Sequence, residues 1–134
     1  MDERIRRQVR ERAADRCEYC RVPQSSDRLP FQVDHIIAEV HHGATTLDNL
    51  AWSCFDCNVY KGTNLAGIDP DSGAVTRLFH PRTDSWQNHF EWNGAHLVGR
   101  TPEGRATIDV LRINLSSRIE HRRLLARLGE LAGE

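Results

Sequence analysis

Apolar positions recur with a helical period at the start of the chain. Ile5, Val9 and Ala13 follow one another every four residues, and the positions between them are mostly charged. Residues four apart lie on the same side of an α-helix, so this spacing indicates a narrow apolar stripe. The pattern predicts an Arg-rich amphipathic helix over residues 2–15.

A second helical pattern occupies the end of the chain. Ser116 or Ser117 is expected to act as its N-cap, because a serine hydroxyl can accept a hydrogen bond from a free backbone N–H. The leucines of this segment are predicted to form the buried face, and the arginines the solvent face. The leucines are Leu124, Leu125, Leu128 and Leu131; the arginines are Arg118, Arg122, Arg123 and Arg127.

Between these helices the periodicity changes. The run 31–37 is predicted to be a strand, and a short helix that ends near Gly62 follows residue 54. Residues 90–98 alternate around Asn93-Gly94, a pair typical of a tight β-hairpin turn. Thr101-Pro102 predicts a further helix start, with threonine as N-cap and proline in the first position.

Composition limits the kind of protein this is. The chain has 134 residues, of which 39% are hydrophobic and only 7% aromatic. This length predicts one domain over residues 1–134, with a modest core that a structural metal would supplement. No apolar run is long enough to cross a membrane, and none follows the basic N-terminus. We therefore expect a soluble, cytoplasmic protein without a secretory signal.

The cationic residues are almost all arginine. Lys61 is the one lysine among 18 Lys and Arg residues, while the formal net charge is −1. Arginines crowd the first sixteen residues and the last helix. Two interpretations remain open: the arginines form solvated faces paired with acidic residues, or they contact phosphate, which a guanidinium binds in a fork-like manner.

All four cysteines fall into two pairs, Cys17–Cys20 and Cys54–Cys57, each with two residues between the thiols. Two such pairs predict a tetrahedral four-cysteine Zn²⁺ site with no open coordination position, which is typical of structural zinc. The alternatives are two disulfides or a redox Cys-x-x-Cys. Because 33 residues separate Cys20 from Cys54, zinc would clamp the ends of a long insert.

The insert contains the neighbours Asp34 and His35. In a strand the two side chains should point to opposite faces. The pair therefore raises the question of how two side chains that diverge could act at one site.

The order and spacing of several residues resemble the HNH endonuclease family. The segment 16–62 carries the two cysteine pairs, and the other matching residues are Asp34, His35, Asn49, Asn58 and Lys61. The stretch from Leu78 to the end is similar to the C-terminal extension of small stand-alone bacterial HNH proteins. The resemblance implies an α+β fold: a ββα-metal core braced by the zinc knuckles, an N-terminal helix, and a C-terminal hairpin with helices.

The resemblance also implies a role for each matching residue. His35 would be the general base, and Asn49 would steady it through hydrogen bonds within the loop. Asp34 and Asn58 would hold a catalytic divalent ion. Because phosphodiester hydrolysis is an in-line displacement, the diverging side chains of Asp34 and His35 could straddle a phosphate at the strand's edge, with His35 towards the attacking water and Asp34 towards the metal. Asn58 stands where many members have histidine; because a carboxamide oxygen suits hard cations, Mg²⁺ or Mn²⁺ is expected. Each asparagine could instead simply cap a turn or helix.

DNA is the partner that the resemblance implies, with hydrolysis leaving 3′-hydroxyl and 5′-phosphate ends. Lys61, Arg118 and Arg122 are expected to contact its phosphates, although Lys61 could instead cap a helix end. A homodimer or an unknown protein partner remains open. Two other functions compete: a non-catalytic, zinc-stabilised nucleic-acid-binding module, and a protein-interaction domain that docks a partner on the C-terminal leucine face.

Overall fold

A computed structural model describes residues 1–131 of the chain. The fold mixes short helices with three two-stranded antiparallel sheets among these residues, which confirms the α+β class. The elements are α1 (Glu3–Arg12), β1 (Gln32–His35), β2 (Leu50–Ser53), α2 (Phe55–Lys61), β3 (Ala66–Ile68), β4 (Val75–Arg77), α3 (Trp86–His89), β5 (Phe90–Asn93), β6 (His96–Gly99), α4 (Pro102–Val110) and α5 (Ser116–Arg127).

Helix α1 lies where its apolar stripe predicts it. Asp2 caps the first turn by accepting a hydrogen bond from the backbone N–H of Arg4 at 2.7 Å, and Val9 is fully buried. Ala14 and Asp15 adopt positive φ angles of 53° and 57°. L-residues rarely adopt this conformation within a helix, so the chain leaves α1 here and turns into the first cysteine pair.

Strands β1 and β2 form an antiparallel hairpin that encloses a long loop. Asp34 pairs with Ala51 and His35 pairs with Leu50. The predicted strand 31–37 is shortened to four residues. Its partner β2 has the sequence Leu-Ala-Trp-Ser and is buried throughout. A strand covered on both faces lacks the alternation that identifies a half-exposed strand, and this explains why the sequence pattern did not predict it.

Two further hairpins complete the fold. β5 and β6 turn at Gly94, which has a φ of 61°, as the Asn-Gly pair predicts. β3 and β4 have only three residues each and were not predicted. Helix α4 packs on this small sheet so closely that a Cβ at Gly67 would lie 2.4 Å from Val110 Cγ2. Thr101 caps α4 by accepting from Gly104 N at 3.0 Å, as predicted.

One continuous core joins the two halves of the chain. Buried apolar side chains from Val9 to Leu131 belong to a single cluster. Trp86 reaches the first cysteine pair, where its indole N–H donates to Tyr19 O at 2.9 Å. None of the helices formed by residues 1–131 combines the length and apolar character that crossing a bilayer requires.

The faces predicted for α5 are only partly correct: Leu125 and Leu131 are buried and Arg123 and Arg127 are exposed, as predicted, but the other four residues are reversed. Arg118 and Arg122 are buried together with Leu125, whereas Leu124 and Leu128 are exposed. Residues 118, 122 and 125 share one side of a helix by their spacing. No side-chain hydrogen bond caps the helix, so the predicted serine N-cap is also wrong; Leu115 holds that position and Ser116 begins the helix.

Arg122 is buried because it satisfies backbone groups inside the fold. Its guanidinium donates to Ala95 O at 2.9 Å, to Ile113 O at 2.8 Å and to Asn114 Oδ1 at 3.0 Å. Only 1% of the residue is exposed. Carbonyl oxygens buried away from water need donors, and this one side chain supplies them for two segments.

We expect Arg122→Met to lower the free energy of unfolding by about 2–4 kcal/mol, because buried carbonyl oxygens lose their donors. Urea denaturation at equilibrium measures the change. Arg123→Met is the matched control, since Arg123 is exposed on the same helix. Equal losses in the two variants would contradict the structural role of Arg122.

Candidate active site and metal centre

The four cysteines converge on one point. Cys17, Cys20, Cys54 and Cys57 are buried, and their sulfur atoms all lie within 4.8 Å of one another. The Cys20 and Cys54 sulfurs are 3.7 Å apart. A tetrahedral ion with metal–sulfur bonds of about 2.3 Å places its ligand sulfurs about 3.8 Å apart. The sulfur spacing therefore fits a four-cysteine metal site, and no cysteine is engaged in a disulfide.

Local backbone geometry shapes both cysteine knuckles. The N–H of Cys20 points to Cys17 Sγ at 3.5 Å, and that of Cys57 points to Cys54 Sγ at 3.4 Å. The first knuckle closes through Cys17 N, which donates to Val22 O at 2.9 Å. The second knuckle forms the start of α2, where Cys54 is the N-cap residue. Each pair thus presents both sulfurs on one side.

The thiols influence one another's ionisation. Hydrogen bonds with Cys17, Cys54 and Cys57 lower the pKa of Cys20 well below its usual value. The pKa of Cys54 rises well above its usual value, first because of its hydrogen bond with Cys17, and that of Cys57 rises first because of burial. A buried cluster of this kind cannot hold several thiolates without a cation. The donor set therefore calls for a thiophilic metal ion.

Asp34 faces the interior, where its carboxylate meets the side chains of Tyr19 and Lys61. Its carboxylate accepts from Tyr19 Oη at 2.6 Å and from Lys61 Nζ at 3.1 Å. Burial raises the pKa of Asp34, while the charge of Lys61 opposes that rise. Burial, followed by the charge of Asp34, raises the pKa of Tyr19 well above its usual value. Tyr19 therefore stays a hydrogen-bond donor to Asp34.

Lys61 is enclosed, with only 2% of the residue exposed. Its ammonium donates to Asp34 Oδ1, to His35 O and to Ile36 O, each at 3.1 Å. An ammonium has three N–H donors, and these three partners use them all. The prediction that Lys61 contacts a phosphate is therefore wrong for this structure. Instead, Lys61 fixes the backbone on the carboxyl side of His35.

His35 points away from Asp34, towards the long loop. Its Nε2 lies 2.9 Å from Thr45 Oγ1 and 3.6 Å from Glu39 Oε1. The imidazole is partly exposed, with 17% of the side chain accessible. The two neighbours thus diverge as strand geometry requires, but the Asp34 carboxylate is enclosed rather than open at the strand's edge. The arrangement in which both straddle a phosphate is not present in this structure.

Asn49 holds the loop of residues 36–49 closed. Its Oδ1 accepts from Ile37 N at 2.9 Å, and its Nδ2 donates to Ile37 O at 3.0 Å and Ala44 O at 2.8 Å. Gly43 makes this closure possible, because a Cβ there would lie 1.7 Å from Ile37 O. These contacts lie within the loop that follows His35 and contains its partner Thr45.

Asn58 lies in the middle of α2 and is half-buried. Its backbone belongs to the helix, and within residues 1–131 its carboxamide makes no side-chain hydrogen bond. The side chain is therefore available to a ligand. It stands three residues before Lys61, which places both on the same side of α2. Over the described range, no group of three or more His, Cys, Asp or Glu side chains besides the four cysteines comes close enough to share an ion.

A cleft of about 600 Å³ runs beside the loop, and sequence analysis did not identify it. It is lined by His41, His42, His80 and Arg82, among others. His80 Nδ1 accepts from Arg82 N at 3.1 Å and from Thr83 N at 3.3 Å. Its Nε2 therefore carries the proton in the neutral ring. Burial lowers the pKa of His80. Isolated histidines carry no spacing signal that would reveal this cleft.

The expected phosphate contacts of Arg118 and Arg122 are wrong as well. Arg122 donates to buried carbonyl oxygens, and Arg118 donates to Leu111 O at 2.7 Å and to a cysteine sulfur. Side chains enclosed in this way cannot reach a ligand at the surface. The exposed arginines of α1 are different: Arg4, Arg7 and Arg10 all face solvent. Phosphate contact therefore remains open for α1.

We expect replacement of any one of the four cysteines by serine to abolish metal retention and unfold the core. Structural metal binding is coupled to folding, and an incomplete ligand set loses the ion. Far-UV circular dichroism and metal content per chain measure the two effects. Ser25→Ala, in the exposed loop after the first knuckle, is the control. A cysteine variant that keeps native helix content without metal would contradict this expectation.

We expect Lys61→Met to cost about 3–5 kcal/mol, because it leaves the Asp34 carboxylate buried without a counter-charge. The loss should be smaller near pH 5 than near pH 8, since Asp34 can take up a proton at low pH; its raised folded-state pKa means that stability falls as pH rises. Urea denaturation measures both effects.

The double variant Asp34→Asn/Lys61→Met is the matched control for this pair. It removes the buried charge together with its partner, so it should recover part of the loss. Additive losses in the double variant would show that the two side chains act independently.

Part of this chain is similar to known proteins. Residues 17–64, a little more than a third of the chain, match the model of the HNH endonuclease family. The chain is also similar to the Septu protein PtuB of Bacillus thuringiensis, with 26% identity over 117 residues. That match covers 86% of this chain but only 43% of the relative, so the chain spans less than half the relative's length. No solved structure matches the chain. Residues 17–64 therefore form a domain of the HNH endonuclease family.

Proposed function

We propose that this protein is a metal-dependent endonuclease that hydrolyses DNA phosphodiester bonds, with His35 as the general base. The observation that carries the proposal is the placement of His35 inside the segment that matches the HNH family. The residue ends β1, and its imidazole is held at the mouth of the loop by Thr45.

The hydrogen bond to Thr45 supports the role of His35 as a base. In the tautomer where Nε2–H donates to Thr45 Oγ1, the lone pair lies on Nδ1. Nδ1 is then the atom that takes a proton from an attacking water. Glu39 Oε1 lies 3.6 Å from the same Nε2 and is exposed to solvent. Lys61 keeps the His35 backbone in place during the reaction.

A divalent ion, Mg²⁺ or Mn²⁺, is proposed to be held by Asn58 and Asp34 and to neutralise charge on the phosphate. Mg²⁺ commonly uses one or two protein ligands and completes its shell with water and substrate oxygens, so sparse ligands fit it. The free carboxamide of Asn58 suits such an ion. Asp34 can bind it directly only if Lys61 withdraws, because the ammonium already lies 3.1 Å from the carboxylate.

The ion at the four cysteines is proposed to be Zn²⁺ in a structural role. Four sulfur ligands fill a tetrahedral shell and leave no position for water. DNA is proposed to be bound by the exposed arginines of α1, in place of Lys61, Arg118 and Arg122. Such contacts to phosphate give affinity that falls with salt and depends little on base sequence.

One observation favours a second function, a non-catalytic zinc-stabilised nucleic-acid-binding module. The Asp34 carboxylate is 4% exposed and is engaged by both Tyr19 and Lys61. A carboxylate neutralised in this way has less need of a metal ion. The module would bind DNA but would not cleave it with any divalent ion.

The test is cleavage of supercoiled plasmid with Mg²⁺ or Mn²⁺, compared between the wild type and His35→Ala. Loss of a general base should reduce the cleavage rate by about 10²–10⁴-fold. His121→Ala is the matched control, because His121 lies on α5 and outside the family segment. Reactions without divalent ion should use protein whose zinc content has been checked after chelation.

The outcomes separate the two functions. Metal-dependent cleavage lost in His35→Ala, with DNA binding and zinc content kept, supports the nuclease. Binding at low salt without cleavage by folded, zinc-loaded protein supports the module. Equal cleavage by the wild type and His35→Ala would show that His35 is not the base.

A further inference from the structure

Arg118 connects the C-terminal helix to the cysteine centre. The residue lies on the first turn of α5, beyond the family segment that ends at residue 64. Its Nη2 is 3.0 Å from Cys57 Sγ and 3.8 Å from Cys54 Sγ. The other terminal nitrogen, Nη1, donates to Leu111 O at 2.7 Å. The guanidinium is thus fixed between the α4–α5 turn and the second knuckle.

The contact places the Arg118 guanidinium beside a centre of negative charge. Four thiolates around one Zn²⁺ carry a net charge of about −2. With all four cysteines buried, this charge is costly unless a cation or hydrogen-bond donors offset it. A guanidinium keeps its positive charge even when desolvated. Among residues 1–131, Arg118 is the side chain other than cysteine that hydrogen-bonds to these sulfurs.

Two other cations near the cysteines, Arg21 and Arg122, are placed differently, and Arg122 donates to carbonyl oxygens instead. The Arg21 guanidinium stacks over Trp86 with its central carbon 5.0 Å from the ring centroid. Arg21 donates no hydrogen bond to a cysteine sulfur within the described chain. Asp56, on the second knuckle itself, lies 3.9 Å from Arg118 Nε and is exposed. Solvent therefore weakens the competition of Asp56 for the guanidinium.

We propose that Arg118 is an outer-sphere partner of the zinc–thiolate centre and that zinc retention depends on docking of α5. Hydrogen bonds to ligand atoms orient the ligands and tune the affinity for the metal. The dependence is reciprocal, because any group that binds more tightly when zinc is present must also favour zinc binding. The metal centre then includes a residue 61 positions beyond Cys57 in sequence. This inference rests on the proposed Zn²⁺ site but not on nuclease activity.

The first experiment measures zinc release from the full chain to a chromogenic chelator. Arg118→Met should release zinc about 10–100-fold faster or bind it more weakly by that factor, as loss of an outer-shell partner typically does. Arg118→Lys keeps a charge but loses the fork of two terminal nitrogens, one on Leu111 O and one on the sulfur, so we expect an intermediate effect. Arg123→Met, an exposed change on the same helix, should match the wild type.

The second experiment reports on the sulfur atoms directly. With Co²⁺ in place of zinc, the thiolate-to-metal charge-transfer band depends on the energy of the sulfur lone pairs. A hydrogen bond from Arg118 lowers that energy. We therefore expect the band to shift to lower energy in Arg118→Met and Arg118→Lys, and to stay unchanged in Arg123→Met. A purely structural role for Arg118 would not move the band.

Zinc release and a Co²⁺ spectrum identical to the wild type in folded Arg118→Met would overturn the proposal. If Arg118→Met does not fold, Arg118→Lys decides: a shifted band supports the proposal and an unchanged band overturns it. A wild-type protein that binds neither Zn²⁺ nor Co²⁺ would instead refute the metal site on which the inference rests.

Discussion

The convergence of four cysteine sulfurs from two knuckles is the constraint on which the fold depends. Cys20 and Cys54 are separated by 33 residues, and closing that loop costs entropy that a modest core offsets poorly. Once the sulfurs meet, β2 runs directly into the second knuckle and α2 leaves from it. The hairpin that carries His35 is therefore held at both ends by the same centre.

The two knuckles also contact strand β1 through Asp34. Tyr19 lies between the cysteines of the first knuckle and donates to one side of the carboxylate. Lys61 ends the helix that begins at the second knuckle, and it donates to the carboxylate and to the carbonyl oxygen of His35. Asp34 thus links both knuckles to β1. The Asp34 side chain anchors β1 to the interior, whereas the His35 side chain faces the loop.

The features that the sequence predicted correctly depend on local chemistry. Cysteine spacing, the Asn93-Gly94 turn and the Thr101-Pro102 helix start depend on neighbouring residues, and the structure contains all three. Burial of Arg122 could not be predicted in this way, because it depends on carbonyl oxygens of distant segments that need a donor. For the same reason the burial of Lys61 could not be predicted, because it follows from the inward orientation of Asp34.

The burial of Lys61 also determines how the chain reacts with reagents and proteases that act on lysine. It is the one lysine in a sequence with seventeen arginines, and its ammonium is engaged by three acceptors beneath the strand of His35. Apart from the N-terminal amine, the folded chain exposes almost no primary amine that a reagent could acylate. It likewise exposes almost no lysine at which a protease could cleave. Reagents and proteases specific for lysine can act on the interior of the chain only when α2 separates from β1. Reaction at Lys61 therefore reports the separation of α2 from β1.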